Sequence, residues 1–319
     1  ELLPLRCRLP VTRQRGCECY TSGKWLSKPP RQLDSRCMAA NTAFLEREYN
    51  ARAAIREHPQ IFARWAEQGA AARRLRACEV DLQYAPLNME RLDLFHAHQR
   101  DAPLLVFIHG GYWRSLDKSD FSWIAPPLLQ HGVAVAVTNY GLAPQTSIED
   151  IVRQQLKALA WLYHNAERLR FNPDRIVVAG HSAGGHLTAM MMAALWQQFD
   201  STLPSGLVKA GLAISGLFDL RPLVSAPFVN VDLKLDLKRA RALSPIEMPS
   251  ATSAPLITAV GALESSEFKR QSTEFGARWS TNLTRHLELP LANHLTVCDE
   301  LANPGSPLFD AMLELIRRV

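Results

Sequence analysis

The chain has 319 residues, 47% of them hydrophobic and 21% charged, which is enough material for a large buried core and too apolar for intrinsic disorder. No run reaches the ~18 uninterrupted apolar residues that a membrane-spanning helix needs. The formal net charge is +5, but residues 1–37 hold eight Lys/Arg against three Asp/Glu and the rest of the chain is neutral, so no basic face for nucleic acid is expected. Neither nucleic acid nor a membrane is implied as a partner; a small-molecule partner is expected from the motifs below, and a homodimer is compatible with them.

Residues 1–37 contain Cys7, Cys17, Cys19 and Cys37 together with Pro4, Pro10, Pro29 and Pro30. They show no hydrophobic period, no apolar core of a secretory signal and no paired C-x-x-C spacing for zinc. Reduced thiols in a cytoplasmic protein are the expectation, and residues 1–37 read as a disordered or spurious N-terminal extension ahead of Met38. From Asn41 to Arg76 the composition is helical, with Phe44, Tyr49, Ile61, Phe62 and Trp65 available for packing. "EVDLQY" and "RLDLFHA" alternate apolar and polar residues, as a half-buried antiparallel pair at a sheet edge should.

"LLVFI" is continuous and apolar, which predicts a strand buried on both faces. Strands and helices then alternate: "VAVAVT", an amphipathic run from Ser147 to Arg168, "RIVVAG", "GGHLTAMMMAALWQQF", "KAGLAIS", "PLITAV", "TRHLEL" and the closing helix "SPLFDAMLELIRRV". This order predicts an α/β fold, a mostly parallel central sheet with helices on both faces. Residues 222–253 are irregular and longer than an ordinary connection, which suggests a small lid or cap.

Between "RIVVAG" and the next helix, Gly180, Ser182 and Gly184 form G-x-S-x-G. Glycines on either side let a strand turn sharply into a helix, leaving Ser182 exposed at a strained corner, a nucleophile elbow. The helix start aims backbone amides at developing negative charge, that of Ala183 first. The earlier "VFIHGGYW" offers Gly111 and Tyr112 as further oxyanion donors.

A serine nucleophile needs a base, and the base an orienting acid, following in the order serine, acid, histidine. After Ser182 come His186, His286 and His294. His186, one turn into the elbow helix, reads as a core histidine and His286 as part of the last strand. His294, in the loop after that strand, is the expected base. Glu264, at the end of "PLITAV", is the expected acid, with Asp219 as the fallback; Glu267 reads as a helix-start residue. Tyr112 and Trp113 are candidates to wall a substrate pocket, and Trp113 fits core packing equally well. Nothing in the sequence reads as a carboxylate-binding residue; Arg114 and Arg221 are candidates by position alone. No H-E-x-x-H, P-loop or dinucleotide fingerprint occurs, so neither a metal nor a cofactor is implied.

Taken together, "LEREYNARA", "HGGYW", "GHSAGGH", "SGLFDLRPL", "ESSEF" followed by "RQS", and "NH" resemble the α/β-hydrolases of the arylformamidase (kynurenine formamidase) type, over a stretch running from about Leu45 to the C-terminus. The resemblance implies one α/β-hydrolase domain over residues 38–319, with 222–253 as its lid-like insertion, and no cofactor. It puts the nucleophile on Ser182, the acid on Glu264 and the base on His294. The implied activity is hydrolysis of N-formyl-kynurenine to kynurenine and formate in tryptophan catabolism. The alternative is a carboxylesterase acting on short-chain acyl esters. One departure stands out: better-known animal members carry Asp as the acid, and Glu is one methylene longer.

Overall fold

Buried apolar strands that alternate with amphipathic helices can cover both strand faces only if the helices pack on either side of a sheet. The computed structural model describes the backbone of residues 17–21, 24–28, 35–75 and 77–319, with side chains for residues 41–75 and 77–319. Of the expected extension over 1–37, residues 1–16, 22–23 and 29–34, Cys7 among them, lie outside the described residues. Within it, β1 (Cys17–Thr21) and β2 (Lys24–Lys28) pair as an antiparallel hairpin.

The helical N-terminal region is not continuous. It forms α1 (Ser35–Tyr49), α2 (Ala51–Ala54) and α3 (His58–Arg73). Asn50 breaks the first run by capping α2, its side chain accepting from the Ala53 amide at 3.2 Å. Pro59 fits only the first turn of α3, where no backbone donor is required.

Next come β3 (Cys78–Gln83), β4 (Arg91–Phe95), β5 (Ala102–Ile108), α4 (Ala125–Gln130), β6 (Ala134–Thr138), α5 (Ile148–His164), α6 (Ala166–Leu169) and β7 (Phe171–His181). They are followed by α7 (Ala183–Met192), α8 (Trp196–Phe199), β8 (Ala210–Ile214), α9 (Pro227–Leu233), α10 (Leu237–Ala242), β9 (Leu256–Gly261), α11 (Ser266–Arg278), β10 (Leu283–Leu289) and α12 (Pro307–Arg317). The stretch read as one helix after Ser182 is thus two, and the break lets Trp196 turn into the core at 2% exposure. Residues 222–253 are better ordered than their composition suggests: α9 and α10 lie between short 3-10 turns and bury Val229, Leu233 and Ala240.

The main sheet has eight strands in the order β3-β4-β6-β5-β7-β8-β9-β10. β4 runs antiparallel to both its neighbours, and β6, β5, β7, β8, β9 and β10 are mutually parallel. Two cores flank it. In β5, Leu104, Val106 and Ile108 enter one, with α5 and α7, while Leu105 and Phe107 enter the other, with α3 and α12. This two-sided burial is why "LLVFI" lacks alternation, and each such side chain contributes about 1.5–3 kcal/mol of burial free energy. Among the described residues no helix is long and apolar enough to cross a membrane. Because the strands are parallel, the connections leaving β5, β7, β8, β9 and β10 gather at one end of the sheet, where open α/β sheets form their ligand crevice.

Candidate active site

Ser182 follows β7 directly, with φ 57° and ψ −117°, a backbone conformation costly for any residue with a Cβ. The surroundings hold it there. Its amide donates to the Ile214 carbonyl at 2.8 Å and its carbonyl accepts from the His186 amide at 3.1 Å. The flanking glycines are required by contact: a Cβ on Gly184 would lie 1.9 Å from the Ile108 carbonyl oxygen, and one on Gly180 2.3 Å from that of Gly184.

The structure brings the three residues expected from sequence into one hydrogen-bonded run. Ser182 Oγ lies 3.1 Å from His294 Nε2, and His294 Nδ1 lies 2.6 Å from Glu264 Oε2. With a carboxylate on Nδ1, that nitrogen carries the proton and Nε2 is left to accept from the serine hydroxyl. Glu264 is fixed through its other oxygen, which accepts from the Gly261 amide at 2.7 Å and from Ser215 Oγ at 2.5 Å. The extra methylene of Glu is absorbed by this anchoring to β9 and to the end of β8. All three side chains are buried, at 3% (Ser182), 7% (Glu264) and 6% exposure (His294).

Two rings not identified from sequence hold the His294 imidazole: His181, with centroids 4.7 Å apart, and Phe268, at 4.1 Å. Burial, more than the neighbouring His294, pushes the His181 pKa well below the ordinary histidine value, so His181 stays neutral beside the base. Only the G-H-S spacing placed His181 near the site, and Phe268 gave no signal of its own.

After β5 the chain turns through Gly111 (φ 104°), Tyr112 (φ 53°) and Trp113 (φ 54°). The turn closes on itself, the amides of Arg114 and Ser115 both donating to the Gly111 carbonyl at 3.1 Å. Tyr140 Oη anchors its start by donating to the carbonyls of His109 and Gly110 at 2.9 and 3.2 Å. Among the described residues the amides of Gly111, Tyr112 and Ala183 donate to no other backbone group.

The remaining candidates separate clearly. Tyr112 lines the cleft above Ser182 and donates to the Tyr49 carbonyl at 2.6 Å. Trp113 does not line it: fully buried, it meets His186 edge-on at 5.0 Å, so its place is core packing and not a substrate wall. His186 is buried, its Nε2 is 2.8 Å from the Leu243 carbonyl, and burial pushes its pKa down to about 4. His286 lies in β10 against Thr258. Asp219 is paired with Arg221, which also reaches Glu247, so neither faces the cleft. Glu267 accepts from Tyr49 Oη at 2.6 Å and pairs with Arg270.

The cleft is partly open to solvent and has a cavity volume of about 80 Å³. Ser182, His294 and His181 form its floor, Phe62, Trp65, Tyr112 and Phe228 its aromatic walls, and Arg52 and Arg114 also line it. Sequence reading missed Arg52, Phe62, Trp65 and Phe228 as lining residues. They come from α2, α3 and α9, which reach the site only through packing.

The BD-FAE family model matches residues 92–275, a span that contains Ser182 and Glu264 and stops short of His294. A kynurenine formamidase from Danio rerio is 30% identical over 247 residues, 74% of this chain and 81% of that protein. One from Salmo salar is 28% identical, covering 77% of this chain and 84% of that one. Among solved structures, a Silicibacter protein provisionally assigned as a thioesterase is 31% identical with a TM-score of 0.72, covering 84% of this chain and 97% of its own. Esterase B from Lactobacillus rhamnosis, 19% identical with a TM-score of 0.65 over 83% of this chain and 97% of that one, shares the fold. This chain therefore belongs to the BD-FAE family of α/β-hydrolases and is a hydrolase related to kynurenine formamidases and esterases.

Proposed function

We propose that the chain hydrolyses the formyl amide of N-formyl-kynurenine to kynurenine and formate, with Ser182 as nucleophile, His294 as general base and acid, and Glu264 as its orienter. The observation that carries this reading is the run Ser182–His294–Glu264 at the foot of an aromatic-walled cleft, in a relative of kynurenine formamidases. Ser182 Oγ attacks the formyl carbon while His294 Nε2 takes its proton, and Glu264 stabilises the imidazolium through Nδ1–H. The amides of Ala183, Gly111 and Tyr112 receive the oxyanion, each such donor contributing on the order of 10²- to 10³-fold in rate. His294 then protonates the departing aniline nitrogen, and water releases formate from the formyl-enzyme by the same steps in reverse.

In this reading residues 38–319 act as one catalytic domain, with 222–253 as a lid whose Phe228 meets Tyr112 edge-on at 5.8 Å. Short-chain ester hydrolysis is the competing reading, favoured by a carboxylesterase from Mycobacterium tuberculosis that is 37% identical over 91 residues, 28% of either chain. Steady-state kinetics on N-formyl-kynurenine and on p-nitrophenyl acetate, for the intact chain and Ser182→Ala, separate the two. The formamidase reading expects kcat/KM to favour the formamide by several orders of magnitude and both activities to vanish with Ser182→Ala. Turnover of the ester alone would make the chain a carboxylesterase.

A further inference from the structure

The charged side chains lining the cleft are Arg52 and Arg114; no Asp or Glu is among its described lining residues. The two arginines are not equivalent. Arg114 is already engaged, donating to the Phe228 carbonyl and to Asp232, each at 2.7 Å. Arg52 has no carboxylate partner among the described residues; its polar contact is a 3.2 Å hydrogen bond to Ser115 Oγ.

We infer that Arg52 reads a carboxylate on the substrate, so that the cleft selects aromatic compounds carrying a negative charge over neutral ones of the same shape. The inference deepens the hydrolase reading proposed above and rests on the cleft being its substrate site. Three features fit Arg52 to the task. Its guanidinium lies 5.1 Å over the Phe62 ring, which orients the planar fork along an aromatic wall. A guanidinium carries five N–H donors in fixed directions, and Ser115 uses one, leaving others to donate to a carboxylate in bidentate fashion. Ser115 Oγ in turn donates to the Gly111 carbonyl at 3.0 Å, so two hydrogen bonds tie the cation to the loop that carries the candidate oxyanion amides. A ligand anchored at Arg52 is thereby registered against the reacting carbonyl. Partial burial, and next the positive charge of Arg114, hold Arg52 below the usual arginine range, a like-charge tension that a bound carboxylate relieves.

Calorimetric titration with two matched ligands, 4-phenylbutanoate and 4-phenylbutanamide, tests this on the intact chain without relying on turnover. The expected result is tighter binding of the acid by roughly 2- to 5-fold, the worth of a solvent-exposed ion pair. The preference should disappear in Arg52→Met and survive in part in Arg52→Lys, which keeps the charge but loses the fork. An acid bound no tighter than the amide, or not bound, or a preference that persists in Arg52→Met, overturns the inference. Failure to turn over N-formyl-kynurenine counts against the proposed reaction alone and leaves this binding result standing.

Discussion

The floor and the walls of the cleft are held by different kinds of structure. Ser182, Glu264 and His294 each follow the end of a parallel strand, β7, β9 and β10, and each is buried and tied by at least one short hydrogen bond. The walls come from α2, α3, α9 and the turn after β5, and they meet through side-chain contacts such as Arg52 with Ser115 and Arg114 with Phe228 and Asp232. A hydrogen-bonded sheet fixes atoms that must react within tenths of an ångström, and helices packed over its end can be exchanged without disturbing them. In the proposed reaction the nucleophile, base and acid thus ride on the sheet and the helices shape selectivity, with the turn after β5 serving both.

The deepest cut into that separation is Glu264→Gln. The amide keeps the shape but removes the charge that stabilises a protonated His294 and favours the wrong tautomer. Loss of about 10⁴ in kcat is expected, with melting temperature also falling because Ser215 and the Gly261 amide lose their charged acceptor. A loss below tenfold would mean that the floor does not work as a unit.

His186 ties the elbow helix α7 to the segment that also carries α9, its imidazole bonding to the Leu243 carbonyl just after α10. Its pKa, pushed down to about 4 by burial, compares with about 6.5 in an unfolded chain. Between those values the unfolded chain binds a proton that the folded one refuses. Stability is thus complete above about pH 6.5 and falls as pH drops toward 4, by about 3 kcal/mol for this one group. Melting curves across that range should show a shallower fall in His186→Gln than in the intact chain; parallel curves would remove His186 from the account.

The smallest effect belongs to the wall itself. The Arg114–Asp232 pair is partly exposed, at 29% and 30%, and is worth about 0.5–1 kcal/mol. Arg114→Ala should raise KM by roughly two- to fivefold while lowering kcat by less. A kcat loss as large as that of Glu264→Gln would merge walls and floor into a single device.

The same division governs what could be read from the letters of the chain. The elbow was legible because its geometry is written in adjacent residues: only glycine survives the approach of Gly184 to the Ile108 carbonyl. Glu264 and His294 were legible because a parallel sheet sends its functional side chains to the loops after strand ends. The walls were not. Arg52 and Phe228 line one cleft from distant parts of the chain, and α9 and α10, with seven and six residues, are too short to display a helical period. Trp113 was read equally as wall or core because positive φ at Tyr112 and Trp113, which carries the chain under its own loop, is a conformation that no composition signals in non-glycine residues.

Ser182 and His294 stand 112 positions apart in sequence, and the bond between them closes only when β10 has docked beside β9 at the far edge of the sheet. Contacts of such long range are among the last that a chain growing from its N-terminus can form. A nascent chain arrested before β10 already contains Ser182 but not the imidazole proposed to activate it, so in the proposed reaction chemical competence arrives in a single late event instead of building up as synthesis proceeds.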